Sequence, residues 1–329
     1  MTPRWRLFAK YAAFIIALVS ATLLVFEMRA ADVVRIGFLA PDEEPRYSQL
    51  LAGLRQGLRD LGHRDSELIV HQQRVTRGDK TRAAASAKTL QRDEVRVAFV
   101  VGTELSRIVR EAVPELPVVF ITPGDPVRIG LVASLARPGG NITGMTFEYP
   151  ELMGKRLELM REVAPLARRI GVLYDRRDAS PRQGFAGARE AAARLRVTLL
   201  ELLVEDVQFD SKAVGAHGKF DGLLVVPGGA VSLVSAQVIE HVHRERAVSV
   251  VSSRTVATQD ALLSYGSSDV DVAREAARLV DRIAKGQRAA DLPVERPTRL
   301  KLSVNARVAR TLGITIPQSV LVRADEVIE

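Results

Sequence analysis

Two hydrophobic periods alternate along this chain. The largely apolar run Val33–Leu39 predicts a buried strand and ends in a polar loop, Ala40 to Pro45. Leu50, Leu51, Leu54, Leu58 and Leu61 then recur at helical spacing, and Gly62 closes that helix. The alternation continues with a strand at Leu68–Val70, a polar, alanine-rich helix over about Asp79–Gln91 and a strand at Val95–Val101. A short helix from Gly102-Thr103 to about Val113 and a strand over Pro117–Thr122 follow. Strands that alternate with helices imply βαβ units, a parallel sheet and right-handed crossovers.

The segment Pro138–Gly144 is rich in turn formers and, with the residues to Pro150, reads as the approach to a crossover into a second lobe. Beyond it the plan repeats. A helix over Glu151–Val163 precedes a strand at Arg169–Tyr174, a helix over about Arg182–Leu195 and strands at Val197–Val204 and Asp221–Val226. Next come a helix over about Val231–Arg244, strands at Val248–Val251 and Ala261–Tyr265, and a long helix over Val270–Lys285. A strand at Leu300–Val304 and a short helix over Arg307–Leu312 complete the pattern. Arg35-Ile36-Gly37-Phe38-Leu39 returns as Arg169-Ile170-Gly171-Val172-Leu173 at the head of the second run. The expected class is α/β, with two doubly wound parallel-sheet lobes enclosing a cleft for a small molecule.

Composition fits that picture. The 329 residues suffice for two domains, and 47% hydrophobic with 5% aromatic content means cores of Val, Leu, Ile and Ala. The net charge is +8, of which residues 1–30 carry three units through Arg4, Arg6, Lys10 and Arg29 against Glu27. Elsewhere basic and acidic residues are interspersed, as in Arg189-Glu190, with no basic block among aromatics, which argues against a nucleic-acid partner. The chain has no cysteine, which excludes disulfides, thiolate metal sites, thiol nucleophiles and a lipidated cysteine anchor.

Arg4, Arg6 and Lys10 precede an apolar run, Tyr11–Phe26, and Ala30-Ala31 follow. This is the layout of a secretory signal peptide over residues 1–30. Met28 stands at the third position back from a cut after Ala30, so an uncleaved N-terminal anchor is the competing reading. Either one places the folded part outside the cytoplasm, in the periplasm.

Catalytic signatures are missing: the chain has no Walker loop, HExxH, GxSxG or GxGxxG. His241 and His243 sit two residues apart on a helix and face different directions, so no metal site is expected there. No cofactor and no enzymatic activity are expected. In open parallel sheets, ligands sit beyond the carboxyl ends of the strands. The candidates at those ends are Tyr47, Thr103, Thr122 and Asp125 in the first lobe, and Tyr174, Asp175, Gly228 and Tyr265 further on. Tyr149 and Gly229 lie at loop ends too. Hydroxyls and helix amides suit a carboxylate, an aspartate suits an ammonium, and tyrosine rings cover an apolar part.

Several longer stretches carry a family resemblance. They are Arg35–Leu39, Gly124–Val127, Gly130–Gly144, Gly154–Glu158, Ser264–Gly266, Asp291–Pro297, Leu312–Pro317 and Arg323–Glu329. With them, the chain resembles the substrate-binding proteins of bacterial ABC transporters of the tryptophan/tyrosine-binding type. The resemblance implies a bilobed fold of the type I periplasmic-binding kind with hinge crossovers. It places a first lobe at 33–145 plus about 264–290 and a second at 150–260 plus about 295–329. It further implies a monomeric, non-catalytic solute-binding protein that closes on an amino acid or similar small polar ligand and docks on an ABC permease in the inner membrane. A membrane-anchored sensory module of the same fold is the alternative. Two departures weaken the carry-over of an aromatic ligand. Gly266-Ser267-Ser268-Asp269 stands where relatives commonly have Gly-Pro-Asn or Gly-Pro-Asp, and Glu104 adds charge after Thr103.

Overall fold

The computed structural model describes residues 33–43, 45–148, 150–204, 218–228, 231–253 and 260–329. Residues 1–30, expected as a signal or anchor, lie outside that set, as do Tyr149 and Gly229. No described helix is long and apolar enough to cross a membrane.

The first copy of the repeated motif forms most of strand β1 (Val34–Pro41). In chain order there follow α1 (Arg46–Asp60), β2 (Leu68–Val75), α2 (Lys80–Arg92), β3 (Val97–Val101), α3 (Thr103–Ala112), β4 (Val118–Pro123) and β5 (Ile142–Glu148). The sheet order is β2-β1-β3-β4-β5, with every pairing parallel. Its central strands are buried on both faces, which is why they read as continuous apolar runs. Leu50, Leu54 and Leu58 of α1 meet Phe38 and Phe99 on one face. Leu90 of α2 and Val109 of α3 meet Val100 and Phe120 on the other.

Strand β5 corrects the reading of the turn-rich segment. Ile142 starts the strand, and Ile142, Met145 and Phe147 are buried in it, so the glycines mark close packing as well as turns. A Cβ on Gly144 would overlap the backbone of Phe120, its partner on β4. The outer edge of β5 is also occupied: Thr146 N–H donates to the Glu295 carbonyl, and Glu295 N–H to the Gly144 carbonyl, each at 2.9 Å.

The second lobe holds α4 (Pro150–Val163), β6 (Arg169–Tyr174), α5 (Ala179–Leu195), β7 (Thr198–Leu203), β8 (Gly222–Val225), α6 (Val231–Arg244), β9 (Val248–Val251) and β10 (Leu263–Gly266). Helix α7 (Asp269–Ala284) returns to the first lobe, where it packs along α1. The chain then re-enters the second lobe as β11 (Lys301–Asn305), α8 (Ala306–Leu312), α9 (Gln318–Leu321) and β12 (Glu326–Ile328). The seven-stranded sheet runs β12-β11-β10-β9-β8-β6-β7.

Two details differ from the sequence reading. Strand β10, read from residue 264 as part of the first lobe, belongs to the second sheet, so the crossover falls after Gly266. The pairing of β10 with β11 is antiparallel, whereas the other pairings of that sheet are parallel. The cause is connectivity: β10 runs toward the crossovers and β11 starts from them, so neighbours with crossovers at one end point in opposite directions. Three segments thus join the lobes, between Glu148 and Pro150, between Gly266 and Asp269, and between Glu295 and Lys301.

Candidate functional site

Both sheets have a switch point in strand order, between β1 and β3 in the first and between β6 and β8 in the second. At a switch point neighbouring crossovers go to opposite faces, which leaves a crevice at the carboxyl ends of the strands. The two crevices face each other. Pro41, Gly102 and Thr103 on one side, and Asp175 and Gly228 on the other, line a single cleft of about 710 Å³.

Three of the expected site residues line this cleft: Thr103, Asp175 and Gly228. Thr103 opens α3, and its hydroxyl is shared between Thr122 of the same lobe and Ser180 of the other, the latter at 3.4 Å. Thr122 is fully buried, so it supports Thr103 from behind. Asp175 is buried by its own loop: its carboxylate accepts from Arg177 N–H at 2.9 Å and from Nε and Nη2 at 3.0 Å each. It holds Arg177 in place, so its charge is engaged within its own loop.

The other expected residues lie elsewhere. Tyr47 is 1% exposed, edge-on to Phe38, with Arg74 stacked 3.8 Å from its ring centroid. Tyr174 stacks on Phe185 at 4.7 Å and donates its hydroxyl to Glu201 at 2.6 Å. Burial, reinforced by that carboxylate, pushes its pKa up to about 12. Tyr265 is half-buried beside the second-lobe core, and its carbonyl accepts from Arg156. A tyrosine at a loop end packs its ring on the nearest apolar face, and here that face is the lobe interior. Asp125 caps its own turn, accepting from Val127 N–H at 2.9 Å, and lines a separate groove with Pro150 and Gly154. Its backbone N–H donates across to Gln183 of the second lobe at 2.7 Å. His243 bonds Ser249 at 2.8 Å, and burial lowers its pKa.

The structure adds residues that the strand-end rule passed over. Asp178 caps α5 by accepting from Ser180 N–H at 3.0 Å and faces the cleft. Burial raises its pKa, opposed by that hydrogen bond and by Arg77 of the first lobe. A raised carboxylate pKa means that the native state binds more protons than the unfolded chain just above the ordinary aspartate value of about 3.9. Stability from this group is therefore greatest in acid and falls as pH rises through the raised folded value. Asp178→Asn keeps a capping oxygen and removes the buried charge. It is expected to flatten that part of the pH profile and to leave the melting temperature at neutral pH unchanged or slightly higher. Thermal unfolding at a series of pH values checks it, and a profile identical to wild type would show that Asp178 is not the group responsible.

Arginines dominate the remaining lining: Arg46, Arg77 and Arg107 from the first lobe, Arg177 and Arg182 from the second. Arg46 donates to Asp269 at 3.2 Å, and Arg77 to Glu43 at 2.9 Å through Nε. No aromatic side chain lines the cleft among the described residues.

Residues 35–328 match the family model described as ABC transporter substrate binding protein. The chain belongs to this family. Among curated relatives, it is 23% identical over 281 residues to the tyrosine-binding protein of Clostridioides difficile, covering 85% of this chain and 81% of that protein. Among solved structures, it is similar to an ABC domain from Streptococcus pneumoniae in complex with L-Trp, at 24% identity and a TM-score of 0.81. A conserved domain protein from Vibrio cholerae gives 24% identity and a TM-score of 0.80. Each match covers 90% of this chain and 99% of the other. These likenesses establish the bilobed fold of a substrate-binding protein of the ABC transporter type.

Proposed function

We propose that this substrate-binding protein is the extracytoplasmic solute receptor of an ABC importer and takes an amino acid or similar small polar molecule between its lobes, without catalysis. The observation that carries the reading is the meeting of both switch-point crevices in one cleft of about 710 Å³. That volume lies within the range of small-molecule sites, roughly 300–1,000 Å³. The relatives named for tyrosine and bound to L-Trp support an amino-acid class. A ligand that touches both lobes favours their approach, because its contacts are complete only when the lobes are near. The closed form, presented by a monomer, is what the permease in the inner membrane would read. Residues 1–30 would supply export, with the rest of the chain in the periplasm.

Binding to the native state alone stabilises it by mass action, by about 2.7 kcal/mol at a ligand concentration 100 times Kd. A thermal-shift screen of amino acids and small organic acids is therefore expected to yield a binder that raises the melting temperature in a concentration-dependent way. The absence of any such compound, together with unimpaired solute uptake in cells lacking the protein, would defeat the reading.

A further inference from the structure

We propose that the ligand is a small molecule carrying two carboxylates, clamped between Arg107 of the first lobe and Arg182 of the second. The assignment rests on the cleft being the ligand site and adds the chemical class of the occupant.

Five guanidinium groups line the cleft against three carboxylates, those of Glu104, Asp175 and Asp178. Most of these charges are engaged. Arg46 is held by Asp269, Arg77 by Glu43 and Arg177 by Asp175. Glu104 pairs with Lys80 at 3.6 Å, and Asp178 is occupied by the N–H of Ser180. Arg107 and Arg182 stand apart. Among the described residues neither has a carboxylate within ion-pair distance, and the hydrogen bond of Arg182 goes to the backbone carbonyl of Arg176 at 3.0 Å.

Their placement gives the pair a function. Arg107 lies one turn into α3 and Arg182 in the first turn of α5. These two helices start at the cleft on opposite lobes, where Thr103 and Ser180 meet. Two like charges on facing walls oppose closure while the cleft holds only water. A ligand with a carboxylate for each guanidinium reverses the sign of that interaction, since a planar fork binds a carboxylate through two parallel hydrogen bonds. Closure is then coupled to the ligand's second negative charge. A neutral side chain leaves one arginine unmatched, and an aromatic ring finds no ring to stack on among the described lining residues.

The experiment is isothermal titration of the purified protein with succinate, L-glutamate, L-tryptophan and L-tyrosine, at low and at physiological salt. The expected result is binding of succinate, L-glutamate or both in preference to the aromatic amino acids, weakening as salt rises. A preference for L-glutamate over succinate would show that an ammonium is also recognised. Arg107→Gln and Arg182→Gln are each expected to weaken that binding at least tenfold. Both side chains are exposed. The melting temperature of each ligand-free variant should therefore match wild type, and it serves as the folding control. Binding of L-tryptophan or L-tyrosine alone, or binding of a dicarboxylate unaffected by both substitutions, would overturn the clamp and leave the proposed function standing. Failure of all four compounds overturns the clamp as well. The proposed function falls with it only if the wider screen also fails.

Discussion

Gly57→Val is expected to lower the melting temperature by roughly 10 °C and to expose the first lobe to proteolysis. Gly53 and Gly57 lie one turn apart on α1, on the face that meets α7. A Cβ on Gly57 would overlap the carbonyl oxygen of Arg274 and stand 2.5 Å from Ala277 Cβ, and one on Gly53 would stand 3.0 Å from Ala273 Cβ. The helix backbones therefore touch at these glycines, and a branched side chain has nowhere to go. Overpacking a close-packed interior costs about 1–3 kcal/mol and more where backbone must move. For one lobe of roughly 150 residues unfolding as a unit, each kcal/mol corresponds to roughly 2–4 °C. The effect reaches beyond one helix pair, because α7 is the element that returns the chain from the second lobe to the first. Pushing α7 away also strains His63, which bonds Asp281 at 2.7 Å. Thermal unfolding with limited proteolysis measures it, and an unchanged melting temperature would show that the helices separate without cost.

Arg156→Ala should destabilise the protein by about 3 kcal/mol or more and weaken ligand binding as well. Arg156 is fully buried in α4. Its Nε donates to the Tyr265 carbonyl at 2.8 Å, and Nη1 lies 3.7 Å from Met153 Sδ. Truncation opens a cavity the size of a long side chain and takes a donor from a backbone carbonyl inside the protein, each a cost of a few kcal/mol. The position matters for function because Tyr265 stands one residue before Gly266, where the chain leaves the second sheet for α7. Arg156 thereby braces one crossover from a helix that begins at another. Arg156→Lys is expected to recover only part of the loss, since an ammonium lacks the planar set of donors. Denaturant unfolding gives the stability change, and titration of the folded variant gives the binding change. A variant with wild-type midpoint and affinity would remove Arg156 from the hinge.

The strands and helices that carry the cleft were legible as periodicity, and the repeated Arg-Ile-Gly motif marked the first strand of each lobe. Thr103, Asp175 and Gly228, which line the cleft, were selected by one rule, that ligands gather at the carboxyl ends of parallel strands. The same rule selected Tyr47, Tyr174 and Tyr265, which pack inward, because a residue at a strand end has two directions open to it. Asp125 lines a separate groove: an aspartate beside a glycine and a proline caps its own turn as readily as it binds a ligand. Strand β5 was hidden because Gly144 reads as a turn former, although the Phe120 backbone lies where a side chain would be.

Local sequence determined the two α/β lobes, the family and the strand ends around which a site is built, because these depend on apolar periodicity and short motifs within a few residues. It did not determine which charges are spent and which are free. Arg107 and Arg182 are 75 positions apart in the chain. Each reads locally as one basic residue on a mixed-charge helix. Only the facing of the two lobes puts them in one cleft, and the pairing of Arg46, Arg77 and Arg177 with Asp269, Glu43 and Asp175 leaves those two without an acid among the described residues. Charge interactions act through space over a few ångströms, so the tertiary structure decides them.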